Sequence, residues 1–266
     1  MTPDVADARE RIQIIAHRGA SGDAPESTLE AYRLALALQA DFIEMDAHRL
    51  KDGTIVIIHD SDVARTTDRR GKLSRFTLSE LKTLDAGSWF NKSFPEKARP
   101  EYEGLRIPTL DEVIDIVAGS DTGFYIEIKE PEHYPPDFES LLLSIIHNRR
   151  IRERTTVFSF SARSIMKIKA LDPGMRTALL VSGRRIDPIA SAIRVNAEEL
   201  SLRHDLVTRA LVSAARENEL AISAWTVDKK PDMQQIIQLG VDRVVTNYPG
   251  RLRQLLNSRV SAARRS

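Results

Sequence analysis

The 266-residue sequence contains no cysteine. This absence excludes disulfide frameworks, thiolate catalysis and cysteine-based zinc sites. The sequence also has little net charge, because 39 basic residues are balanced by 38 acidic ones. No global electrostatic field therefore favours nucleic acid as a partner. The basic C-terminal run from Arg251 is interpreted as a solvated terminal helix with a frayed tail.

Long apolar runs are missing as well. No stretch of about 18 apolar residues is present that could cross a bilayer. The polar start, MTPDVADARERIQII, has neither the positive flank nor the apolar segment of a signal peptide. We therefore expect no integral membrane segment and a cytoplasmic location, although a secreted protein trimmed of its signal peptide would show the same features.

What the sequence does contain is a regular alternation of short apolar runs with helical patterns. Such alternation is typical of parallel sheets whose strands are connected by helices. The length is near that of one barrel of eight strands and helices, so we predict an α/β protein with the (β/α)₈ TIM-barrel fold. The nine apolar runs are Ile12–Ala16, Asp41–His48, Thr54–Ile58, Gly123–Lys129, Thr155–Phe160, Thr177–Val181, Glu199–Leu202, Leu220–Val227 and Val241–Thr246.

A closed barrel needs only eight of these nine runs. Either Thr54–Ile58 is a return strand outside the barrel, or one of the later runs is not a barrel strand. The sequence leaves both alternatives open.

Residues 61–106 interrupt the alternation with a polar stretch. It holds one short helix, indicated by the capping box of Thr77 and Glu80. Loops of this length in compact domains are usually functional, so we predict a small insertion subdomain beside the site rather than a plain surface loop. Residues 1–266 would form a single TIM-barrel domain that includes this insertion. A second capping box, Ser27 to Glu30, is predicted to begin a helix that runs to Gln39.

Polar side chains gather at the C-terminal ends of the predicted strands. They are His17, Asp46, Lys129, Ser159, Trp225 and Asn247. In a TIM barrel these ends converge on one mouth, where the catalytic site lies. Because side chains alternate along a strand, Glu44, Asp46 and His48 share one face. The sequence therefore predicts an active site at the mouth, with His48 either in the site or lining the rim.

Three of the strand carboxylates, Glu44, Asp46 and Glu127, would repel one another in a common mouth and raise one another's pKa. A divalent cation would relieve this repulsion. Oxygen ligands favour Mg²⁺, Ca²⁺ or Mn²⁺ over zinc. The alternative is that salt bridges to Arg18 and Lys129 neutralise the carboxylates without a metal.

Two histidines, His17 and His59, are the natural pair for proton transfer, since an imidazole titrates near neutral pH. Arg18 could grip a phosphate as a planar fork, and Lys129 would act on it as a point charge. A cation, two histidines and two fixed positive charges suit phosphoryl transfer on a diester.

Eight short motifs occur in a characteristic order. They are HRGA at 17–20, PEST at 25–28, EMD at 44–46, KDG at 51–53, IIHD at 57–60, EIK at 127–129, AWTV at 224–227 and TNYP at 246–249. In this combination the sequence resembles the glycerophosphodiester phosphodiesterase family, from about Ile12 to Arg251. HRG alone would be a weak signal, whereas the ordered set is specific.

The resemblance implies a TIM barrel with a small insertion after the His59 segment. It implies one Ca²⁺ or Mg²⁺ held by the three carboxylates, with Mn²⁺ also compatible, and His17 and His59 as general acid and base. Arg18 and Lys129 would bind the phosphate, Trp225 would bound the substrate pocket, and Glu26 matches a family acid near the metal. The implied reaction passes through a cyclic phosphate and yields glycerol 3-phosphate and an alcohol.

The sequence departs from the family pattern at two positions, with Ser27 where Asn is usual and Asn247 where Asp is frequent. These departures motivate one alternative, a catalytically impaired glycerophosphodiester-binding protein. A closer alternative is a lysophospholipase D-type hydrolase with the same site and an apolar approach. A metal-dependent amidohydrolase is disfavoured, because its usual His-x-His after the first strand is replaced by His17-Arg18-Gly19.

Overall fold

The computed structural model describes residues 12–129, 137–183 and 187–263, with side chains up to residue 258. The polar start and the last three residues of the basic tail lie outside this range. Its strands are β1 (Gln13–Ala16), β2 (Phe42–Arg49), β3 (Ile55–Ile57), β4 (Gly123–Ile128), β5 (Thr155–Ser159), β6 (Arg176–Val181), β7 (Glu199–Arg203), β8 (Ala221–Trp225) and β9 (Arg243–Thr246).

Within the described residues, eight of these strands form a closed parallel barrel. Pairing runs from β2 through β4 to β9 in chain order, then to β1, and β1 pairs again with β2 to close the ring. β3 pairs antiparallel with β2 and lies outside the ring. The α/β TIM-barrel prediction is therefore confirmed, and Thr54–Ile58 is the return strand.

The helices surround the barrel. They are α1 (Leu29–Ala37), α2 (Leu78–Leu81), α3 (Ser88–Ser93), α4 (Leu110–Val117), α5 (Phe138–Asn148), α6 (Ala162–Leu171), α7 (Pro188–Arg194), α8 (Arg209–Glu217), α9 (Lys230–Leu239) and α10 (Pro249–Ala263). Among the described helices, none has the length and apolar character needed to cross a bilayer.

Of the two capping boxes predicted above, one is present and the other is wrong. The capping box of Thr77 and Glu80 is present at α2. The insertion also holds a second short helix, α3, whose N-cap Gly87 has no side chain to mark it in the sequence. At α1, however, the N-cap is Thr28, whose side chain accepts a hydrogen bond from the backbone of Ala31. The predicted box beginning at Ser27 is wrong. An N-cap residue has extended backbone, as Thr28 has, whereas Ser27 lies in the left-handed region with φ 55°.

The apolar face of each strand packs outwards against the helices. Helix α4 buries Leu110, Val113, Ile114 and Val117, a spacing that places all four on one helical face. They join Ile43 of β2 and its neighbours in one apolar cluster. Each fully buried side chain of this size contributes about 1.5–3 kcal/mol. This outer layer stabilises the barrel.

A buried ion pair closes the N-terminal end of the barrel interior. Arg243 of β9 pairs with Glu199 of β7, and its Nε donates to Gln13 Oε1 at 2.8 Å. The guanidinium carbon also lies 5.3 Å from the centre of the Phe42 ring. Above this pair, the inward side chains form an apolar layer: Ile15, Tyr125, Phe158, Ala178, Leu180 and Val245. This apolar layer therefore separates the ion pair from the C-terminal ends of the strands, where the mouth of the barrel lies.

Residues 61–106 pack beside the mouth. Val63, Leu73 and Leu81 form an apolar cluster with Val56 and Ile58 around β3. Further along the segment, a second cluster joins Phe90 and Tyr102 to alanines near the start of α1. The insertion thus lies after the His59 segment, as expected, and it packs against β3 and against the start of α1. That it is a subdomain of a single-domain chain stays a prediction.

The buried ion pair gives a stability prediction. Glu199→Gln keeps the side-chain volume but leaves the buried charge of Arg243 without its partner, so the free energy of unfolding should fall by about 3 kcal/mol. Urea denaturation measures the change.

The matched control is Glu101→Gln. Glu101 lies 3.8 Å from Arg99 with both side chains about 60% exposed, so its loss should leave the unfolding free energy unchanged within error. Equal effects of the two substitutions would show that the buried pair has no special role.

Candidate active site

A pocket opens where the C-terminal ends of the barrel strands converge. One side is lined by charged and titratable side chains: His17, Arg18, Glu44, His59, Glu127 and Lys129. The other side is mainly apolar, with Phe158, Phe160, Leu180, Trp225 and Val245. The structure therefore brings together the predicted residues from β1, β2, β4 and the segment after β3.

Three carboxylates converge at this mouth. Glu44 and Asp46 come from β2 and Glu127 from β4, and one oxygen of each lies within 4.8 Å of the others. The parallel register pairs Asp46 directly with Glu127, which explains why inward side chains on neighbouring strands meet. All three residues are buried.

Burial and mutual repulsion dominate the electrostatics of this cluster. Burial, followed by the charge of Asp46, raises the pKa of Glu127 to about 8 and that of Glu44 well above its usual range. Burial opposes ionisation of Asp46 too, but the nearby Arg18 and Lys129 outweigh it and lower its pKa to about 2. At neutral pH the protein alone therefore supports one ionised carboxylate more readily than three.

The cluster fits a divalent cation. Neither oxygen of Asp46 has a hydrogen-bond partner among the described residues, although Arg18 Nε lies 3.2 Å and Lys129 Nζ 3.6 Å from them. Lys129 also contacts Glu127 at 3.1 Å. The predicted salt bridges are thus present, but they leave Glu44 and Glu127 with raised pKa values. Three oxygen ligands with this unmet demand for charge could hold a hard cation.

His17 lies at the end of β1, half-buried beside the acidic cluster. Its Nδ1 is 2.7 Å from Asn247 Oδ1, and its Nε2 is 4.0 Å from Glu44 Oε2. Burial, followed by the positive charge of Arg18, lowers the pKa of His17 to about 4. The imidazole is therefore neutral at neutral pH and can accept a proton.

His59 faces the same pocket from the segment after β3. Its Nδ1 lies 2.5 Å from Asp60 Oδ1, and its Nε2 accepts from Lys129 Nζ at 3.2 Å. Burial is the largest cause that lowers the pKa of His59, and the charges of Arg18 and Lys129 lower it further. The Asp60 carboxylate acts in the opposite direction, because it stabilises the imidazolium.

A tight turn aims Arg18 into the mouth. Gly19 has φ 82°, and a Cβ there would lie 2.6 Å from the backbone carbon of Ala31. Only glycine fits this left-handed and crowded position. The turn also lets the backbone N–H of Arg18 donate to Glu44 at 2.8 Å, so the arginine and a metal-ligand candidate are fixed together.

Arg65 is a charged residue beside the pocket whose contacts the sequence did not reveal. It comes from the insertion, and its two terminal nitrogens each donate to a different oxygen of Glu26 at 2.8 Å. Its Nε donates to Asp60 at 2.6 Å. Asp60 in turn contacts His59, and Glu26 contacts Arg18 at 2.9 Å. Arg65 therefore links the His59 side of the pocket to the Arg18 side through these two carboxylates. In the sequence it was one charge in a polar stretch, with nothing to indicate its partners.

The remaining candidates have less direct positions. Glu26 contacts two guanidinium groups. Burial raises the pKa of its carboxyl, but Arg65 and Arg18 outweigh burial and the pKa is lowered. His48 is buried and its Nε2 donates to the backbone carbonyl of His59 at 3.1 Å, so it supports the histidine segment. Trp225 lines the apolar side of the pocket, where Phe160 packs against it edge-on at 5.8 Å.

Comparison with known proteins identifies the family. The sequence model of the glycerophosphoryl diester phosphodiesterase family matches residues 17–251. The chain belongs to this family. A Bacillus subtilis (strain 168) glycerophosphodiester phosphodiesterase is 36% identical over 249 residues, which cover 90% of this chain and 85% of that protein. Another, from Caldanaerobacter subterraneus subsp. tengcongensis, is 37% identical over 91% of this chain and 97% of its own.

A solved structure shows the same architecture. It is an Oleispira antarctica phosphodiesterase in complex with the product sn-glycerol-3-phosphate. Its TM-score to this chain is 0.84 at 28% identity, over 92% of this chain and 96% of the other. The family assignment made from the ordered motifs is therefore confirmed, and it agrees with the closed barrel.

The raised pKa of Glu127 predicts how metal affinity of this family member depends on pH. A cation must displace the proton that Glu127 holds below about pH 8. Affinity for Mg²⁺ or Ca²⁺ should therefore rise with pH, by up to about tenfold per unit for each proton displaced. The pKa of Glu44 is raised as well, so its proton adds to this dependence. Calorimetric titration at roughly pH 6 and pH 8, in buffers of different ionisation enthalpy, measures both affinity and proton release.

Glu127→Gln is the matched variant, because its amide cannot hold the proton. It should bind the ion more weakly and with a shallower pH dependence. Affinity of the unaltered protein that is equal at both pH values, with no proton released, would contradict the assignment of Glu127 as a ligand.

Proposed function

We propose that this chain is a metal-dependent hydrolase that cleaves glycerophosphodiesters to glycerol 3-phosphate and an alcohol. As a member of its family it is an enzyme, a phosphoric diester hydrolase. The observation that carries the proposal is the meeting of three carboxylates, two histidines and two cationic side chains at the mouth of the barrel. The product bound to the similar Oleispira antarctica enzyme, sn-glycerol-3-phosphate, has the chemistry that such a pocket would hold.

Glu44, Asp46 and Glu127 would hold one Mg²⁺ or Ca²⁺, with Mn²⁺ also compatible with oxygen ligands. When bound, such an ion supplies Lewis-acid polarisation of a phosphate oxygen and lowers the pKa of a neighbouring hydroxyl. Asp46 is the carboxylate most ready for this role, because the adjacent cationic groups already keep it ionised.

Arg18 and Lys129 bind the phosphate of the substrate in this proposal. Both are largely buried and lie against the acidic cluster, which fixes their side chains before substrate arrives. A preorganised pair of positive charges in a partly desolvated pocket stabilises the charge that develops on the phosphate oxygens. The fork of Arg18 would add directional hydrogen bonds.

His17 and His59 carry the protons. One takes the proton of the glycerol hydroxyl that attacks the phosphorus, and the other protonates the oxygen of the leaving alcohol. The resulting cyclic phosphate is opened by water, with the proton transfers reversed. Each histidine contributes on the order of 10²- to 10⁴-fold to the rate.

An alternative substrate class is favoured by one observation. Phe160 is 49% exposed at the pocket rim and packs against Trp225. This aromatic surface could receive the acyl chain of a lysolipid, as in a lysophospholipase D-type hydrolase. The proximity of the histidines to the acidic trio supports turnover over the impaired-binding alternative.

A substrate panel tests the proposal. Glycerophosphocholine, glycerophosphoethanolamine and a lysophosphatidylcholine are each incubated with the protein and Mg²⁺. The phosphate esters formed, water-soluble and lipid, are identified together with the released amino alcohol. We expect glycerol 3-phosphate from the first two, and His17→Ala or His59→Ala should lower kcat by about 10²- to 10⁴-fold with metal binding retained.

The control is His147→Ala, which removes an exposed histidine paired with Asp172 on the barrel's outer surface. It should turn over like the unaltered enzyme. Product from the lysolipid alone would replace the proposed substrate class with the alternative, and wild-type rates in either pocket variant would refute the proton-transfer roles.

A further inference from the structure

Asn247 lies at the end of β9, between His17 and a carboxylate that the reaction described above does not use. That carboxylate belongs to Asp228. Its Oδ1 accepts from the Asn247 backbone N–H at 2.9 Å and from the Thr246 hydroxyl at 3.1 Å. Its Oδ2 lies 2.6 Å from Asn247 Nδ2. Three hydrogen bonds thus hold one carboxylate against the end of the last barrel strand.

These contacts settle the orientation of the Asn247 amide. An ionised carboxylate only accepts hydrogen bonds, so the amide group facing Asp228 must be the NH₂. The amide oxygen then points the other way. The choice between amide oxygen and nitrogen, which is often arbitrary, is fixed here by hydrogen-bond chemistry.

The oriented amide in turn selects a tautomer of His17. Asn247 Oδ1 lies 2.7 Å from His17 Nδ1 and 2.7 Å from the Ser21 hydroxyl. An amide oxygen only accepts, so Nδ1 must carry the hydrogen. In the neutral imidazole Nε2 then holds the lone pair, and Nε2 is the nitrogen on the side of Glu44 and the pocket.

We propose that Asp228 and Asn247 are positioning residues that fix the tautomer of His17, so that Nε2 presents its lone pair to the substrate. Neither residue touches the reacting atoms. The hydrogen bond at one ring nitrogen decides what the other can do. The inference rests on the proposed role of His17 in proton transfer, but the tautomer itself can be measured without substrate.

A purely structural role of Asp228 can be separated from this one, because its two oxygens do different work. Oδ1 accepts from the strand backbone and Thr246, whereas Oδ2 faces the amide of Asn247. In Asp228→Asn the remaining oxygen keeps the first two bonds. The new NH₂ faces Asn247, whose amide must turn its oxygen towards it and present NH₂ to His17. Nδ1 must then accept, and the proton moves to Nε2.

The experiment measures the tautomer and the kinetics in the same variants. Protein labelled with ¹⁵N-histidine is studied by NMR near neutral pH, and the His17 signals are identified by their loss in His17→Gln. We expect Nδ1 protonated in the unaltered enzyme and Nε2 protonated in Asp228→Asn. The kcat of Asp228→Asn should fall by about 10²-fold or more, with KM changed by less than about twofold.

An exchange variant provides the rescue. In Asp228→Asn combined with Asn247→Asp, amide and carboxylate trade places and an acceptor-only group again faces His17. The Nδ1-protonated tautomer and most of kcat should return. Asp187→Asn makes the same chemical change at the N-cap of α7 and should alter neither the tautomer nor kcat, since Asn and Asp cap helices equally well.

Nε2 protonation of His17 in the unaltered enzyme would overturn the inference, as would an unchanged tautomer in Asp228→Asn. If Asp228→Asn reverses the tautomer but keeps the wild-type kcat, the tautomer of His17 has no role in catalysis. If the unaltered enzyme shows no turnover at all, the proposed function is wrong. The tautomers of His17 in the unaltered protein and in Asp228→Asn would still decide whether Asp228 and Asn247 set the position of the proton.

Discussion

Three carboxylates within 4.8 Å of one another, buried at the mouth of a barrel, create a demand for positive charge that shapes the whole site. Arg18 and Lys129 meet part of it and keep Asp46 ionised. They do not meet all of it, because the pKa of Glu127 stays at about 8. A cation bound there would complete the charge balance, and the same two basic side chains would then be available to an anionic substrate.

Packing elsewhere in the barrel offsets the repulsion among these carboxylates. Its outer face is packed by apolar side chains of strands and helices, and the Arg243–Glu199 pair fills the far end of the interior. Strand register sets which carboxylates meet, while the left-handed turn at Gly19 sets where Arg18 points. Arg65 from the insertion also holds Asp60 and Glu26 in place by hydrogen bonds. Rigid elements thus hold groups that would otherwise separate.

Sequence patterns predicted the parts of the site that sit on strands. Alternation placed Glu44 and Asp46 on one face, and the C-terminal ends of parallel strands must converge, so their meeting with Glu127 followed from topology. The barrel itself was predicted for the same reason. The extra strand could not be assigned, because a short apolar run looks the same whether it pairs parallel inside the ring or antiparallel outside it.

Contacts between loops were beyond sequence reasoning. Arg65 contacts Glu26, 39 residues away, and Asp228 contacts Asn247, 19 residues away. A single charged residue carries no signal of such a partner. The cap of α1 was misplaced by one residue, because Ser27 and Thr28 are both good capping residues and only the backbone conformation distinguishes them. Hydrogen-bond networks of this kind depend on tertiary placement rather than on local pattern.

The most direct test of the central claim is a stoichiometric reconstitution. Metal-free protein is titrated with Mg²⁺, and bound ion and the rate of glycerol 3-phosphate formation from glycerophosphocholine are measured together. The account predicts that the rate rises in proportion to bound metal and saturates at one ion per chain, and that Asp46→Asn loses both. Full turnover in the metal-free protein, or in Asp46→Asn without bound metal, would contradict it.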